Sequence, residues 1–287
     1  MTSQPFISIG TCAWNKKDWQ GIYYPKHLGS KEWLAFHSRR FGAVEVDSTF
    51  YHAPSPHIVA HWAEVTPPEF VFSLKLTREI THERRLRDCD ALVAQFVAGL
   101  APLRAKLACI LVQLPPSFEP ERDEHALREF IRRLPSDVRW AIEFRDGKWH
   151  APRIAHLLEE HRICWAWNDT SSVKQGTEAA FGFWPRTTDF LYVRLVGDLD
   201  TKYDGAGSTI HQYREVIWPR DAALANWAER IRAAQSDVKR VLIFGANHFE
   251  GFAPATAARI AGLLGQRIEL PTAAELEGGD GRQMELL

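Results

Sequence analysis

The sequence lacks the long apolar run that a membrane-spanning helix requires, about 18 residues or more, so no membrane association is expected. It also lacks a basic excess, because 35 Lys and Arg stand against 36 Asp and Glu, with a net charge of -1. A nucleic acid is therefore not an expected partner. The 4 cysteines form no Cys-x-x-Cys pair, and the first residues show no signal-peptide pattern. Both absences predict a cytoplasmic protein rather than a disulfide-stapled one.

What is present is an alternation of strand and helix patterns. Eight short, β-rich apolar runs occur along the 287 residues, and segments with helical periodicity separate most of them. This alternation predicts parallel strands and an α/β fold, a single (β/α)8 TIM-type barrel. The rival, a doubly wound open sheet, lacks its Gly-x-Gly-x-x-Gly signature after the first run. The runs are residues 6–14, 43–51, 70–76, 108–114, 139–145, 163–169, 190–197 and 240–247.

Several segments depart from the regular alternation. Residues 170–189 contain glycine and proline but no clear helical pattern, so the helix after the sixth strand is expected to be weak or missing. The polar segment 198–219 predicts an excursion over one face after the seventh strand. We expect one domain over residues 1–270 and a C-terminal tail over 271–287, frayed from Glu275 onward. The charged segment 83–87 is expected to be a solvated loop surface.

Polar side chains recur on one face of the predicted strands. In the second run Val44 and Val46 share one face, while Glu45 and Asp47 share the other. The apolar face must meet the helices, so the polar face points into the barrel. Most of these polar residues lie near the C-terminal ends of their strands, where barrel active sites form. The inward set comprises Cys12, Glu45, Asp47, Lys75, Gln113, Glu143, Arg145, Asn168, Arg194 and Asn247.

The residue types suggest a role for each group. Glu45 and Glu143 are predicted to be catalytic as general acid and base, and Lys75 as a proton donor or an amine nucleophile. Arg145 and Arg194 are predicted to clamp an anionic group of a small-molecule substrate. Alternatively, the six charged groups form a self-neutralising network that holds the strand register. Further substrate contacts are predicted for Asp47, Gln113, Asn168, Asp169, Asn247, His248 and Trp14.

A cofactor is not predicted from these residues. A divalent metal remains an alternative, with His82 or His248 joining Glu45, Glu143 or Asp169. No local motif supports a nucleophilic role for Cys12. A cysteine that is buried among apolar groups is also unreactive.

The polar residues lie within phrases that together resemble the YecE-like family. These include Val44-Glu45-Val46-Asp47-Ser48-Thr49-Phe50-Tyr51, Phe72-Ser73-Leu74-Lys75, Glu143-Phe144-Arg145, Tyr192-Val193-Arg194-Leu195 and Asn247-His248-Phe249-Glu250-Gly251. The resemblance runs from about the first strand to the last helix. It implies a TIM barrel with a shared polar mouth, in a domain family of unknown function, and it implies no particular reaction.

Three functions follow from the sequence as hypotheses. The first is an enzyme, a hydrolase or a lyase or isomerase, that uses acid–base chemistry on a small anionic or polar substrate at the barrel mouth. The second is a metal-dependent phosphoesterase or nuclease-like enzyme. The third is a ligand-binding module without turnover. Nothing in the sequence specifies an oligomeric state.

Overall fold

A computed structural model describes residues 5–170, 184–197 and 212–278, and its strands form one parallel sheet. Nine strands occur in these residues, in the order β6-β5-β4-β3-β2-β1-β9-β8-β7. They are β1 (Phe6–Thr11), β2 (Ala43–Val46), β3 (Val71–Lys75), β4 (Leu107–Gln113), β5 (Trp140–Glu143), β6 (Cys164–Trp165), β7 (Trp167–Asn168), β8 (Phe190–Leu195) and β9 (Arg240–Gly245).

The sixth predicted strand is divided in two. β6 pairs with β5, whereas β7 pairs with β8 on the opposite side, and Ala166 lies between them. The amide of Ala166 still donates to the carbonyl of Ile142, 2.9 Å away, on the β5 side. β6 and β7 together take the place of one strand, so the nine strands occupy the eight strand positions of a nearly closed barrel. The predicted (β/α)8 fold is confirmed.

Helices follow most strands and cover the outside of the barrel. Proline occupies the first turn of several of them, where its missing N–H costs nothing. Pro56 begins one such helix, and the hydroxyl of Ser55 accepts from the amide of Ile58 at 3.4 Å. The helices of the described residues are α1 (Trp33–Ser38), α2 (Pro56–Glu64), α3 (Asp90–Gly99), α4 (Pro120–Arg133), α5 (Pro152–Glu160), α6 (Asp221–Gln235), α7 (Asn247–Glu250), α8 (Ala253–Leu263) and α9 (Ala273–Glu277). None of these described helices is long and apolar enough to cross a bilayer.

Two apolar cores lie on the two sides of the sheet. Val44, Phe72 and Ile142 belong to the larger core between strands and helices. A smaller core fills the barrel interior with compact side chains such as Ala43 and Cys109. This division is the one that the alternation of side chains along each strand predicts, with the bulky face outward.

Residues 271–278 are folded, although the sequence predicted fraying from Glu275 onward. Helix α9 begins with a capping box in which Thr272 and Glu275 exchange hydrogen bonds with each other's backbone amides. Glu275 also pairs with Arg40 at 2.5 Å, and Glu277 pairs with Lys26 at 2.7 Å. The chain is therefore ordered and docked through α9, because its carboxylates meet basic residues from the start of the chain. Residues 279–287 lie outside the described residues.

The two predicted irregular segments fall largely outside the description. The weak or missing helix after the sixth strand would lie in 171–183, and most of the excursion after the seventh strand lies in 198–211, so both expectations fall on undescribed residues. The described end of the excursion returns to the body of the protein, where the amide of Tyr213 donates to the carboxylate of Asp18 at 3.3 Å.

The charged segment 83–87 is largely the exposed surface that its composition predicts, because Glu83, Arg84 and Arg87 are exposed, but Leu86 is buried and two of its arginines share a buried partner. Arg85 and Arg87 both bind the carboxylate of Asp123, which lies fully buried at the start of α4. Arg85, Leu86 and Asp88 adopt left-handed backbone angles, with φ of 51°, 65° and 52°. Such angles are costly outside glycine, so the ion pairs with Asp123 help to hold this segment in place.

Candidate functional site

A buried ion-pair network lies at the centre of the barrel. Arg194 of β8 donates from Nη2 to Oε1 of Glu45 at 2.6 Å, and from Nη1 to Oε2 of Glu143 at 2.6 Å. Both carboxylates are fully buried, and Arg194 is nearly so. The hydroxyl of Tyr192 also donates to Glu45 at 2.6 Å and shares a hydrogen bond of 2.6 Å with Ser73. Residues from β2, β3, β5 and β8 thus converge at one point, as the sequence predicted for its charged members.

A second guanidinium completes this network. Arg145, just after β5, donates from Nε to Glu143 and from Nη2 to the side-chain oxygen of Gln113 at 3.3 Å. Arg194 reaches the same oxygen of Gln113 at 3.4 Å. Two carboxylates and two guanidiniums therefore neutralise each other, which is the condition under which buried charges are tolerated.

The pairing sets the protonation state of the two glutamates. Burial on its own would raise the pKa of Glu143, but the charges of Arg145 and Arg194 lower it to about 2. Burial likewise opposes ionisation of Glu45, and the charge and hydrogen bonds of Arg194 lower its pKa below the ordinary value. Both glutamates are ionised at neutral pH and accept hydrogen bonds from fixed donors.

Asp47 and Lys75 lie next to this network, at the mouth. Nζ of Lys75 is 3.9 Å from Oδ1 of Asp47, and Nη2 of Arg194 is 3.7 Å from the same oxygen. Oδ1 is shielded from solvent and has no hydrogen-bond partner among the described residues, although 40% of the Asp47 side chain is exposed. Lys75 is mostly buried, and its Nζ lies over the ring of Phe50, 4.3 Å from the centroid. Lys75 and Asp47 are therefore farther apart than the directly hydrogen-bonded ion pairs of the inner network.

The pKa values of this pair move toward each other. Burial and the neighbouring charge of Glu45 raise the pKa of Asp47 from 3.8 to about 6. Burial is the largest cause that lowers the pKa of Lys75, and the charge of Arg194 lowers it further, against the pull of Asp47. The mouth therefore presents an acid and a base that both exchange protons more readily near neutral pH than ordinary side chains do.

A cleft opens beside Asp47 at the ends of β1 and β9. It contains about 360 Å³ of space, part of it open to solvent, and its wall includes Cys12, Lys16, Tyr213 and His248. Burial raises the pKa of the Cys12 thiol well above its ordinary value, so this cysteine is a neutral group in the wall.

Three predicted substrate-binding side chains hold loops at the barrel rim. The Asn168 side-chain oxygen accepts from the backbone and hydroxyl of Thr170. The Asp169 carboxylate accepts from two successive backbone amides, including that of Gly197 at 2.7 Å. The Asn247 side-chain oxygen accepts from the first amide of α8 at 2.9 Å, and Asn247 also lines the cleft. All three lie at strand ends, as expected, and their contacts with a substrate stay predictions.

The remaining two predicted contacts lie in different places. His248 lines the cleft, and its Nδ1 shares a hydrogen bond of 3.1 Å with the hydroxyl of Tyr213. Trp14 packs edge-on against Trp62 of α2, with ring centroids 5.4 Å apart, and is 8% exposed. Its ring belongs to the outer core and not to the wall of the cleft.

Sequence reasoning missed several residues of this site. Tyr192 lies two residues before Arg194 on the same face of β8, so the alternation that selected Arg194 also indicated Tyr192. Phe50 lies beyond β2, where alternation no longer applies, and no pattern assigned it to the site. Tyr213 comes from the excursion after β8, so only the folded chain brings it to the cleft.

One carboxylate of a candidate metal site is already engaged. Cys12, Glu45 and Asp47 offer ligand atoms within 4.8 Å of one another. Both oxygens of Glu45, however, accept from Arg194, whose guanidinium would also face any cation held there. His82, another candidate ligand, bonds the hydroxyl of Thr81 through Nδ1 at 2.8 Å. These contacts do not fit a cation between the three donors.

Known sequences and structures support a single family. Residues 8–278 match the family described as "Protein of unknown function DUF72". The chain is 31% identical to UPF0759 protein YunF of Bacillus subtilis over 277 residues, which cover 90% of this chain and 94% of that protein. It is 33% identical to UPF0759 protein YecE of Escherichia coli K12 over 145 residues, and this match covers 50% of each protein.

Solved structures of DUF72 proteins have the same fold. A DUF72 family protein from Thermotoga maritima superposes with a TM-score of 0.73 at 25% identity, covering 91% of this chain and 100% of that one. One from Enterococcus faecalis superposes with a TM-score of 0.71 at 19% identity, covering 93% and 98%. The chain therefore belongs to the DUF72 family of YecE-like barrels.

Proposed function

We propose that this barrel is an enzyme that acts on a small anionic or polar substrate by acid–base chemistry, with Asp47 and Lys75 as the proton-transferring pair. The observation that carries the proposal is the position of this pair at the mouth. Nζ of Lys75 lies 3.9 Å from an Asp47 oxygen that has no hydrogen-bond partner among the described residues. A buried acceptor left unsatisfied is costly, and a substrate group that donates to it would remove that cost.

The chemistry follows from the opposed pKa shifts. With a pKa of about 6, Asp47 is largely ionised at neutral pH and returns a bound proton easily. Lys75, whose pKa burial lowers, gives up a proton more readily than an exposed lysine. Groups whose pKa values approach the working pH are the most effective general acids and bases.

Glu45 and Glu143 have a supporting role in this proposal. Arg194 binds both, and Arg145 binds Glu143, so neither glutamate is free to move a proton. We assign them to positioning, because they fix Arg194 and its charge next to Asp47. In this proposal the predicted self-neutralising network supports the active site, and the reacting pair, Asp47 and Lys75, lies between that network and the mouth.

The substrate's charge is inferred from the cations at the mouth. Arg194 donates its hydrogen bonds to the two glutamates and is only 3% exposed, so it is poorly placed to bind a substrate. Arg145 likewise binds Glu143 and Gln113, and only 7% of its side chain is exposed. Lys75 remains at the mouth, and Lys16 lines the cleft. A carboxylate or phosphate group would meet these side chains.

Substrate depletion in a metabolite mixture tests the proposal. The protein is incubated with a cell-derived small-molecule extract, and compounds are followed by mass spectrometry. We expect one anionic compound to be consumed by the wild type and not by Asp47→Asn or Lys75→Met. The matched controls are Asp189→Asn and Lys239→Met, an exposed pair with Nζ and Oδ2 3.0 Å apart at the opposite end of the barrel.

Other outcomes of this experiment would replace the proposal. A compound that binds and is recovered unchanged would indicate a ligand-binding module. Turnover that a chelator abolishes, and that both Asp47 and Lys75 variants retain, would indicate a metal-dependent phosphoesterase.

A further inference from the structure

The amine of Lys75 has surroundings unusual for a lysine. It makes no hydrogen bond with any described residue, and the nearest carboxylate oxygen, on Asp47, is 3.9 Å away, beyond hydrogen-bond distance. The face of the Phe50 ring lies 4.3 Å from Nζ. Only 11% of the side chain is exposed, so the amine is held largely out of water yet reachable from the mouth.

The charges around this amine oppose one another. Asp47, Glu45 and Glu143 favour its protonated form, whereas burial and Arg194 disfavour it, and the net effect lowers the pKa of Lys75. A desolvated lysine near another cation is the arrangement that keeps an amine neutral and nucleophilic.

We propose that Lys75 is a nucleophile that forms a Schiff base with the carbonyl group of a small anionic aldehyde or ketone. This inference rests on the proposed function and deepens it, because it names the substrate class and gives Lys75 a covalent role in place of proton donation.

The step balances with Asp47 as the proton carrier. The neutral amine adds to the carbonyl carbon, and the electron pair of the C=O π bond moves to oxygen. Asp47 takes a proton from the new C–N nitrogen and delivers it to that oxygen, which gives a carbinolamine. A second proton, taken up by Asp47 from solvent, lets the hydroxyl leave as water while the nitrogen lone pair forms the protonated imine.

The anionic group of such a substrate is assigned to the side chains around Phe50. His82 contacts the Phe50 ring edge-on, with centroids 4.9 Å apart, so His82 and Lys75 flank the same ring. Burial is the largest cause that lowers the pKa of His82 to about 4, and the charges of Lys75, Arg78 and Arg145 lower it further. A carboxylate bound here would be attracted to the positive charge that the protonated imine places on Lys75.

Reductive trapping tests this inference. The protein is treated with glyoxylate, the smallest anionic aldehyde, and cyanoborohydride at neutral pH, and adducts are mapped by peptide mass spectrometry. We expect Lys75 to be alkylated faster than Lys239, whose side chain is 84% exposed. The Asp47→Asn variant should label Lys75 about 10²-fold more slowly, since a positioned general acid contributes at least that factor. Alkylation of Lys239 should stay unchanged in that variant.

Two comparisons separate the parts of the inference. Acetaldehyde has no anionic group, so its ratio of Lys75 to Lys239 labelling should be lower than that of glyoxylate; equal ratios would overturn the anionic specificity. Labelling of Lys75 no faster than that of Lys239 would overturn the Schiff base. If Lys75 is not labelled faster but the metabolite experiment still shows turnover that depends on Lys75, the acid–base proposal stands with Lys75 as proton donor. If that turnover is absent as well, both the Schiff base and the acid–base proposal are removed.

Discussion

Two carboxylates share the guanidinium of Arg194, and all three groups are almost completely out of contact with water. At the scale of single residues, this arrangement makes each partner depend on the others. Removal of Arg194 leaves Glu45 buried without this ion pair and leaves Glu143 with Arg145 alone, and this costs more than the intact pairs contribute. The ion-pair network of Arg194 is therefore rigid. Proton exchange costs less free energy at Asp47 and Lys75, which lie between this network and the mouth.

Arg194→Met tests this dependence. We expect the free energy of unfolding to fall by about 3–5 kcal/mol, because Glu45 and Glu143 lose their common partner. Arg132→Met is the control, since its pair with Glu129 is exposed on α4 and should contribute under about 1 kcal/mol. Chemical denaturation of both variants measures the difference, and equal small losses would contradict the assignment.

Asp47→Asn should change the pH dependence of stability. The folded state raises the pKa of Asp47 from 3.8 to about 6, so between these values the folded protein binds more protons than the unfolded chain. The ionised carboxylate thus costs stability increasingly from about pH 4 to pH 6, and fully above that. We expect the variant to be more stable than the wild type at pH 8, with the gain vanishing near pH 4. Denaturant titrations of both proteins at both values measure it, and a gain of equal size at pH 4 and pH 8 would contradict the assignment.

The sequence predicted on which side of each strand the residues of the site lie, but it did not predict their hydrogen-bond partners. Alternation along β2, β5 and β8 put Glu45, Glu143 and Arg194 inside the barrel. It could not show that Arg194 would use its donors on the two glutamates, because a strand pattern carries no distance across the barrel. For the same reason Asn168 was expected to face a ligand, whereas its oxygen holds the backbone of Thr170.

At the scale of elements, a buried carboxylate holds a strained loop. Asp123 also accepts from the amide of Glu119 at 3.0 Å, so it fixes the start of α4 as well as Arg85 and Arg87. Neither role was visible in the sequence, because the charges of 83–87, most of them exposed, do not show which ones also bind a distant carboxylate. What determines its structure is one acidic residue more than thirty positions later.

Asp123→Ala should release this loop to proteolysis. Trypsin should cleave after Arg84, Arg85 or Arg87 about tenfold faster or more, since a hydrogen bond to a charged group contributes about 1.5–3 kcal/mol. Asp137→Ala removes an exposed partner of Arg104 and serves as the control. Unchanged cleavage in Asp123→Ala would show that the left-handed segment is held by packing alone. Mapping the first cleavage sites gives the answer.

At the scale of the whole molecule, two neighbouring strands of the barrel, β1 and β2, approach closely at Gly10. A Cβ atom at Gly10 would lie 1.8 Å from the carbonyl oxygen of Ala43, so the two backbones touch where these strands pair. Gly10 was visible in the sequence, but its reason was not, because a strand pattern does not show which backbone atoms of the neighbouring strand approach it.

Gly10→Ala should therefore destabilise the protein by about 3 kcal/mol or more, through displacement of backbone that cannot shift cheaply. Gly262→Ala is the matched control. It lies within α8 with nothing within 4 Å of its added Cβ, and should stabilise by about 0.5–1 kcal/mol. Thermal denaturation of the pair distinguishes a close approach from a general effect of removing glycine.

The split at Ala166 places two short strand pairings next to each other in the ring of strands. β6 has two register partners on β5 and β7 has two on β8, whereas β8 and β9 share six. β1 and β2 also share only two, but their other edges pair with β9 and β3 along four residues or more. Transient opening of a closed sheet should begin where the fewest hydrogen bonds must break. Native-state hydrogen exchange should thus find the earliest-exchanging strand amides at residues 164–168, and an opening there would part the barrel wall beside the buried charges without unfolding the rest.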